Sequence, residues 1–203
     1  ISPIHYEFAE EMNGYGYAVF AIDYRNPSRR FLDEKWTDDI EIGIDHIMKN
    51  PAVDTGNVYL AGFSMGGTNA VRYLPRSKGI KGLVCYASPM RFDKPGLLKL
   101  IGEGNMPIRI SGSIHVPVLF FQGLDDSITK PWQSEEFIDS LRAHGKDVEY
   151  VGYVNTKHGF TYKGVNNERV GYNRESAFDS YTKVHEFIES HSHQPKPESS
   201  VDE

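Results

Sequence analysis

Short, almost wholly apolar runs alternate along the chain with longer stretches in which apolar residues recur every three or four positions. Runs of the first kind suit strands buried on both faces, and stretches of the second kind suit amphipathic helices. Strands are predicted over residues 17–24, 57–63, 81–87, 116–122 and 148–154, and helices over 3–12, 36–48, 66–74, 131–144 and 174–190. In the second helix Trp36, Ile40, Ile44, Ile47 and Met48 mark the buried stripe. Its acidic residues come early and Lys49 late, as the helix dipole favours, and Pro51 closes it. Residues 89–116 are irregular, with several Gly and Pro and one short helix near Leu97–Ile101; a small lid belongs in this span. Strands separated by helices call for an α/β fold, a mostly parallel sheet with helices on both faces. Residues 1–190 read as a single domain, and residues 191–203 as a disordered, polar, Pro-rich tail.

Composition narrows the classes. A length of 203 residues, 39% hydrophobic and 25% charged, fits one globular domain. No apolar run approaches the roughly 18 residues of a membrane helix. The net charge of −6 argues against a nucleic-acid partner, whose phosphates need a basic face. Cys85 is the one cysteine, which excludes an internal disulfide and a cysteine-based zinc site, and its place inside a strand marks it as inert core. No cofactor and no metal are called for. The first residue is Ile, so the natural start is expected upstream, and localisation and oligomeric state are not readable.

In parallel sheets of this kind chemistry collects in loops at the carboxyl ends of strands. One such end carries Gly62-Phe63-Ser64-Met65-Gly66, a G-x-S-x-G elbow between a strand and a helix. The turn must be tight enough to lift the Ser above the sheet, and Gly62 and Gly66 fill the positions expected to be small. A serine hydroxyl needs a base, and the base needs an acid to orient it. The strand over 116–122 runs into Asp125 and Asp126, and the strand over 148–154 runs into His158. In the order Ser, acid, His, these give Ser64, Asp126 and His158 as a candidate triad. A loop Asp just before a helix also reads as a cap or a turn former. His46, His144 and His185 fall in helix patterns and His191 and His193 near the end of the chain, while His5 and His115 do not follow a strand. Tyr24 and Arg25, ending the first predicted strand, are candidates for the substrate pocket; for Arg25 an ion pair with Asp33 or Glu34 is the competing assignment. Trp36 and Trp132 read as packing residues, and Phe63 as either a pocket wall or core.

Together, the elbow through Gly67, the loop Gly123-Leu124-Asp125-Asp126 and the stretch Lys157-His158-Gly159-Phe160 resemble the signature stretches of the α/β-hydrolase fold. Within it they resemble the dienelactone hydrolase group and the catalytic domains of prolyl oligopeptidase-type serine peptidases. The family's acid loop, usually His-Gly-x-x-Asp, aligns on Gly123 and places the acid at Asp126, with Gln122 in the His position as a non-catalytic departure. Dienelactone hydrolases proper carry Cys in the elbow, so Ser64 points toward the serine esterase and peptidase branches. The stretch Ile22-Asp23-Tyr24-Arg25 resembles the family's fourth strand, and so implies that the first strands are missing. The resemblance puts one oxyanion donor at the N–H of Met65 and the other in a His-Gly-Gly-type loop ahead of the first helix. That loop too is expected to be missing, which leaves the sequence poorly active alone, since losing one such donor costs about 10²–10³ in rate. The implied activity is hydrolysis of small carboxylic esters or lactones through an acyl-enzyme. The alternatives are the catalytic domain of a peptidase, acting on a peptide, and a non-catalytic binding module of the same fold.

Overall fold

The structure, a computed structural model, describes residues 3–25, 34–92 and 106–192. Its elements in chain order are α1 (Pro3–Gly14), α2 (Glu34–Ile47), β1 (Val58–Phe63), α3 (Met65–Tyr73), β2 (Ile80–Tyr86), β3 (Val118–Gly123), α4 (Pro131–Ala143), β4 (Val148–Tyr153) and α5 (Arg174–His191). Two short 3₁₀ turns, Leu74–Arg76 and Pro107–Ser113, complete the set. The strands form a four-stranded sheet in the order β1-β2-β3-β4, with every pairing parallel. The short helix predicted near Leu97–Ile101 and the tail beyond 192 lie outside the described residues.

The apolar runs become strands because both faces of this sheet are covered. Leu83 and Cys85 of β2 and Val118 and Phe120 of β3 point into a core closed by Ile40 and Ile44 of α2, Val71 of α3 and Phe137 and Leu141 of α4. Their alternates Val84, Tyr86, Leu119 and Phe121 point the other way, into a core closed by Phe8 and Met12 of α1 and by Tyr181, Val184 and Phe187 of α5. Phe120 and Phe121 are neighbours on opposite faces, and both are fully buried. Burial of this kind stabilises the fold by about 1.5–3 kcal/mol for each large side chain.

The strand predicted over 17–24 does not form. These residues join no ladder among the described residues, and apart from the Tyr17 N–H, which donates back to Met12 O at 3.1 Å where α1 ends, they show no helical pattern. Their side chains are used nonetheless: Ile22 and Tyr24 pack against the first core and Tyr17 against the second. Gly43 in α2 makes room for the segment, since a Cβ there would lie 2.8 Å from Ile22 Cδ1. Apolar alternation reports which side chains find a hydrophobic surface, whereas strand formation also needs a partner edge for the backbone.

Candidate active site

Ser64 stands between β1 and α3 with φ 50° and ψ −120°, a conformation that a residue with a Cβ adopts only when its surroundings impose it. Its N–H donates to Tyr86 O at 2.8 Å, and its carbonyl accepts from Gly67 N at 3.1 Å and Thr68 N at 3.3 Å. The turn is therefore locked on both sides. The closest approach involves Gly67 rather than Gly66. A Cβ on Gly62 would run into the Cα and N of Gly67, and one on Gly67 would run into Ser88 Oγ, whereas one on Gly66 would meet nothing within 4 Å. The role expected of Gly66 thus belongs to its neighbour. Met65 is the first residue of α3, and its N–H is among the first-turn donors that have no partner inside the helix.

Asp126 follows β3 and is 3% exposed. Its Oδ1 accepts from Ile128 N at 2.8 Å and Thr129 N at 2.9 Å, and its Oδ2 accepts from His158 Nδ1 at 2.6 Å. It is at once a turn former and the hydrogen-bond partner of the histidine. Asp125, by contrast, is exposed. Behind the carboxylate lies Gln122, fully buried. Its amide nitrogen donates to Gly123 O at 2.9 Å and Thr129 O at 3.1 Å, and its amide oxygen accepts from Ser134 Oγ at 3.1 Å. One side chain thereby ties both ends of the acid loop to α4.

His158 follows β4 in a loop brought against the acid loop by Gly123, where a Cβ would strike Thr156 O. Asp125 N donates to that same Thr156 carbonyl at 3.0 Å. Thr156 Oγ1 bonds Ser176 Oγ at 3.0 Å and accepts from Asn173 Nδ2 at 3.0 Å, while Asn173 Oδ1 caps α5 by accepting from Ser176 N at 3.2 Å. Nothing in the sequence pattern points to Asn173 and Thr156, because their bonds cross between a loop and a helix start. Since Asp126 is an acceptor, Nδ1 of His158 carries the proton and Nε2 is left with a free lone pair.

Ser64 and His158 line one cleft of about 260 Å³, together with Phe63, Tyr86, Phe160 and Tyr162. No hydrogen bond joins Ser64 Oγ to His158 in this resting arrangement; such bonds are often long until substrate binds. Tyr24 and Arg25 are not brought to this cleft. Tyr24 stacks on Trp36 with ring centroids 5.4 Å apart, and the Arg25 guanidinium and backbone N–H both engage Asp39, a buried carboxylate of α2 further along the chain than Asp33 and Glu34, the acids expected to pair with it. Burial pushes the Cys85 thiol well above its ordinary range, in keeping with an inert core residue. Among the described residues no cluster of three or more His, Cys, Asp or Glu side chains fits a metal ion, and no helix is long and apolar enough to cross a membrane.

Comparison with known proteins agrees with this fold. The chain is 26% identical to human acyl-coenzyme A thioesterase 6, a match that takes in 74% of this chain and 44% of the relative, so the chain spans less than half of that protein's length. Among solved structures it superposes on a dienelactone hydrolase-like promiscuous phosphotriesterase from metagenomic libraries with a TM-score of 0.76 at 17% identity, covering 95% of this chain and 82% of that one. It superposes on the acylaminoacyl peptidase of Pyrococcus horikoshii with a TM-score of 0.67 at 20% identity, covering 85% of this chain and 30% of that one. The model of the dienelactone hydrolase family matches residues 12–192, and the chain belongs to that family.

Proposed function

We propose that this family member is a serine hydrolase that cleaves carboxylic esters or lactones through an acyl-enzyme on Ser64. The observation that carries the reading is the 2.6 Å bond between Asp126 and His158, beside the same cleft that Ser64 enters from the strained elbow. In the first step Ser64 Oγ attacks the carbonyl carbon and His158 Nε2 takes the hydroxyl proton, while Asp126 holds the ring and stabilises the imidazolium. The oxyanion forms near the N–H of Met65. Collapse breaks the bond to the leaving oxygen, which receives the proton from His158. In the second step His158 draws a proton from water, the resulting hydroxide attacks the acyl carbon, and Ser64 leaves with its proton restored.

A fluorophosphonate probe on the purified protein tests this reading. Covalent labelling that disappears in Ser64→Ala supports it, and a folded wild type that takes no label would sink it in favour of a binding module. Paired assays with p-nitrophenyl esters, acyl thioesters and aminoacyl anilides then assign the bond cleaved. Faster turnover of the anilide would select the peptidase alternative, which rests on likeness of fold.

A further inference from the structure

The walls of the cleft beside Ser64 carry information about the acyl group. Phe63, the residue before the nucleophile, stacks on Tyr86 with ring centroids 4.5 Å apart and planes 12° from parallel. Tyr86 in turn lies 5.9 Å from Phe160, which follows His158 by two residues. The rings thus run as one continuous apolar floor from the strand that delivers the nucleophile to the loop that delivers the base. Phe160 is 1% exposed and Tyr86 2%, so these two rings back the floor from below, and the partly exposed Phe63 and Tyr162 present its surface to the cleft. The Tyr86 hydroxyl is turned away to Ser180 Oγ at 3.3 Å. Tyr162 and Val170 add further wall, and none of the described residues lining the cleft is Lys, Arg, Asp or Glu.

On the reading of Ser64 as the nucleophile, we infer that this cleft selects an acyl group that is uncharged and carries a single flat apolar ring, and discriminates against acyl groups that bear a carboxylate. Two physical arguments converge. A flat ring gains from offset or edge contact with the partly exposed Phe63 and Tyr162, and about 260 Å³ lies just under the range of roughly 300–1,000 Å³ usual for drug-sized ligands, which suits one ring. A carboxylate placed in the same space loses water and meets no Lys or Arg among the described lining residues, only the imidazoles of His5 and His158, and a poorly paired buried charge is disfavoured. The group on the acyl side is the one that matters, because it stays on Ser64, over this floor, through both steps.

Three p-nitrophenyl esters with one leaving group separate the effect: the acetate, the phenylacetate and the 4-carboxyphenylacetate. The expected order of kcat/KM is phenylacetate above acetate by about tenfold or more, and phenylacetate above its 4-carboxy analogue by about 100-fold. Val170→Lys, which brings an ammonium to the wall, should narrow the second gap by about tenfold. Equal rates for the two phenylacetates in the wild type would overturn the inference, as would acetate outrunning phenylacetate; neither comparison depends on the variant folding. Fluorophosphonate labelling keeps the two levels apart. Ser64-dependent labelling with no ring preference removes this inference alone, whereas a folded protein that neither labels nor turns over any ester removes the inference and the hydrolase mechanism together.

Discussion

Oδ2 of Asp126 accepts a hydrogen bond from His158 Nδ1 across 2.6 Å, while Oδ1 of the same carboxylate is held by the backbone N–H groups of Ile128 and Thr129. The carboxylate is therefore held by its own loop on one oxygen and by the histidine on the other. Asp126→Asn keeps the shape of the loop but offers an amide that can reverse the sense of the bond and select the wrong imidazole tautomer. Ester hydrolysis should fall by about 10³–10⁴-fold, with the protein still folded by circular dichroism. Asp125→Asn, on the exposed neighbour, should stay within a few-fold of wild type, and a larger loss there than at Asp126 would reassign the acid.

The elbow makes a sharper structural prediction because its two adjacent glycines differ. Gly67→Ala must push its methyl into Ser88 Oγ and toward Gly62 O, 3.0 Å away, so it should cost about 1–3 kcal/mol and disturb Ser64. Gly66→Ala meets open space inside a helix and should be neutral or stabilising by about 0.5–1 kcal/mol. Urea midpoints of the two variants at constant slope decide the matter. Equal destabilisation by both would mean that the close approach is shared.

Much of the architecture was legible in the sequence. Buried strands read as apolar runs, most clearly β3, which is buried along its whole length, whereas β4 carries an exposed Glu149 and is only half-buried. The elbow and the loops holding Asp126 and His158 lie at strand ends, as expected for a parallel sheet. What stayed hidden depends on contacts between distant segments. The run over 17–24 has the apolar content of a strand but no paired edge among the described residues. The spacing G-x-S-x-G names Gly66, yet the steric demand comes from Ser88, which lies beyond another strand, and falls on Gly67. Arg25 pairs with Asp39 of α2, further along the chain than the expected Asp33 and Glu34. Gln122 read as a neutral departure, and only the fold shows both ends of its amide engaged.

That engagement predicts a positioning role for Gln122. Gln122→Leu removes both donors and the acceptor; Gly123 O keeps Asp126 N and Ser134 Oγ keeps Pro131 O, but Thr129 O is left short of a partner in a buried place. Stability should drop by about 1–3 kcal/mol. Because the acid loop loses its tether, kcat should fall by about tenfold or more with KM little changed, since Gln122 lies outside the cleft. Gln122→Glu, which retains an acceptor for Ser134 but places a carboxylate beside Asp126, should be worse in kcat than Gln122→Leu, because it perturbs the charge that orients His158. A variant that loses stability but keeps full kcat below its melting range would reduce Gln122 to scaffolding.

The buried acids of the core predict how the fold fails in alkali. Burial, reinforced by the Asp39 carboxylate, raises the Tyr24 phenol from 10.0 to about 12, and burial lifts Tyr86 and the Cys85 thiol further still. In the unfolded chain these groups release their protons near their ordinary values, about 9 for the thiol and about 10 for the phenols, while the native state retains them. Above those values the native state binds more protons than the unfolded state, so stability is present in full below about pH 9 and is lost as pH rises, by about 1.4 kcal/mol per pH unit for each group involved. Urea midpoints measured from pH 8 to 11 should hold level and then descend. Absorbance at the phenolate band should rise in two stages, exposed tyrosines first and the buried set together with loss of far-ultraviolet ellipticity. Tyr24→Phe removes one of these protons and should make the descent shallower between pH 10 and 12. A descent of unchanged slope in that variant would show that Tyr24 ionises in the folded protein as freely as it does in the unfolded chain.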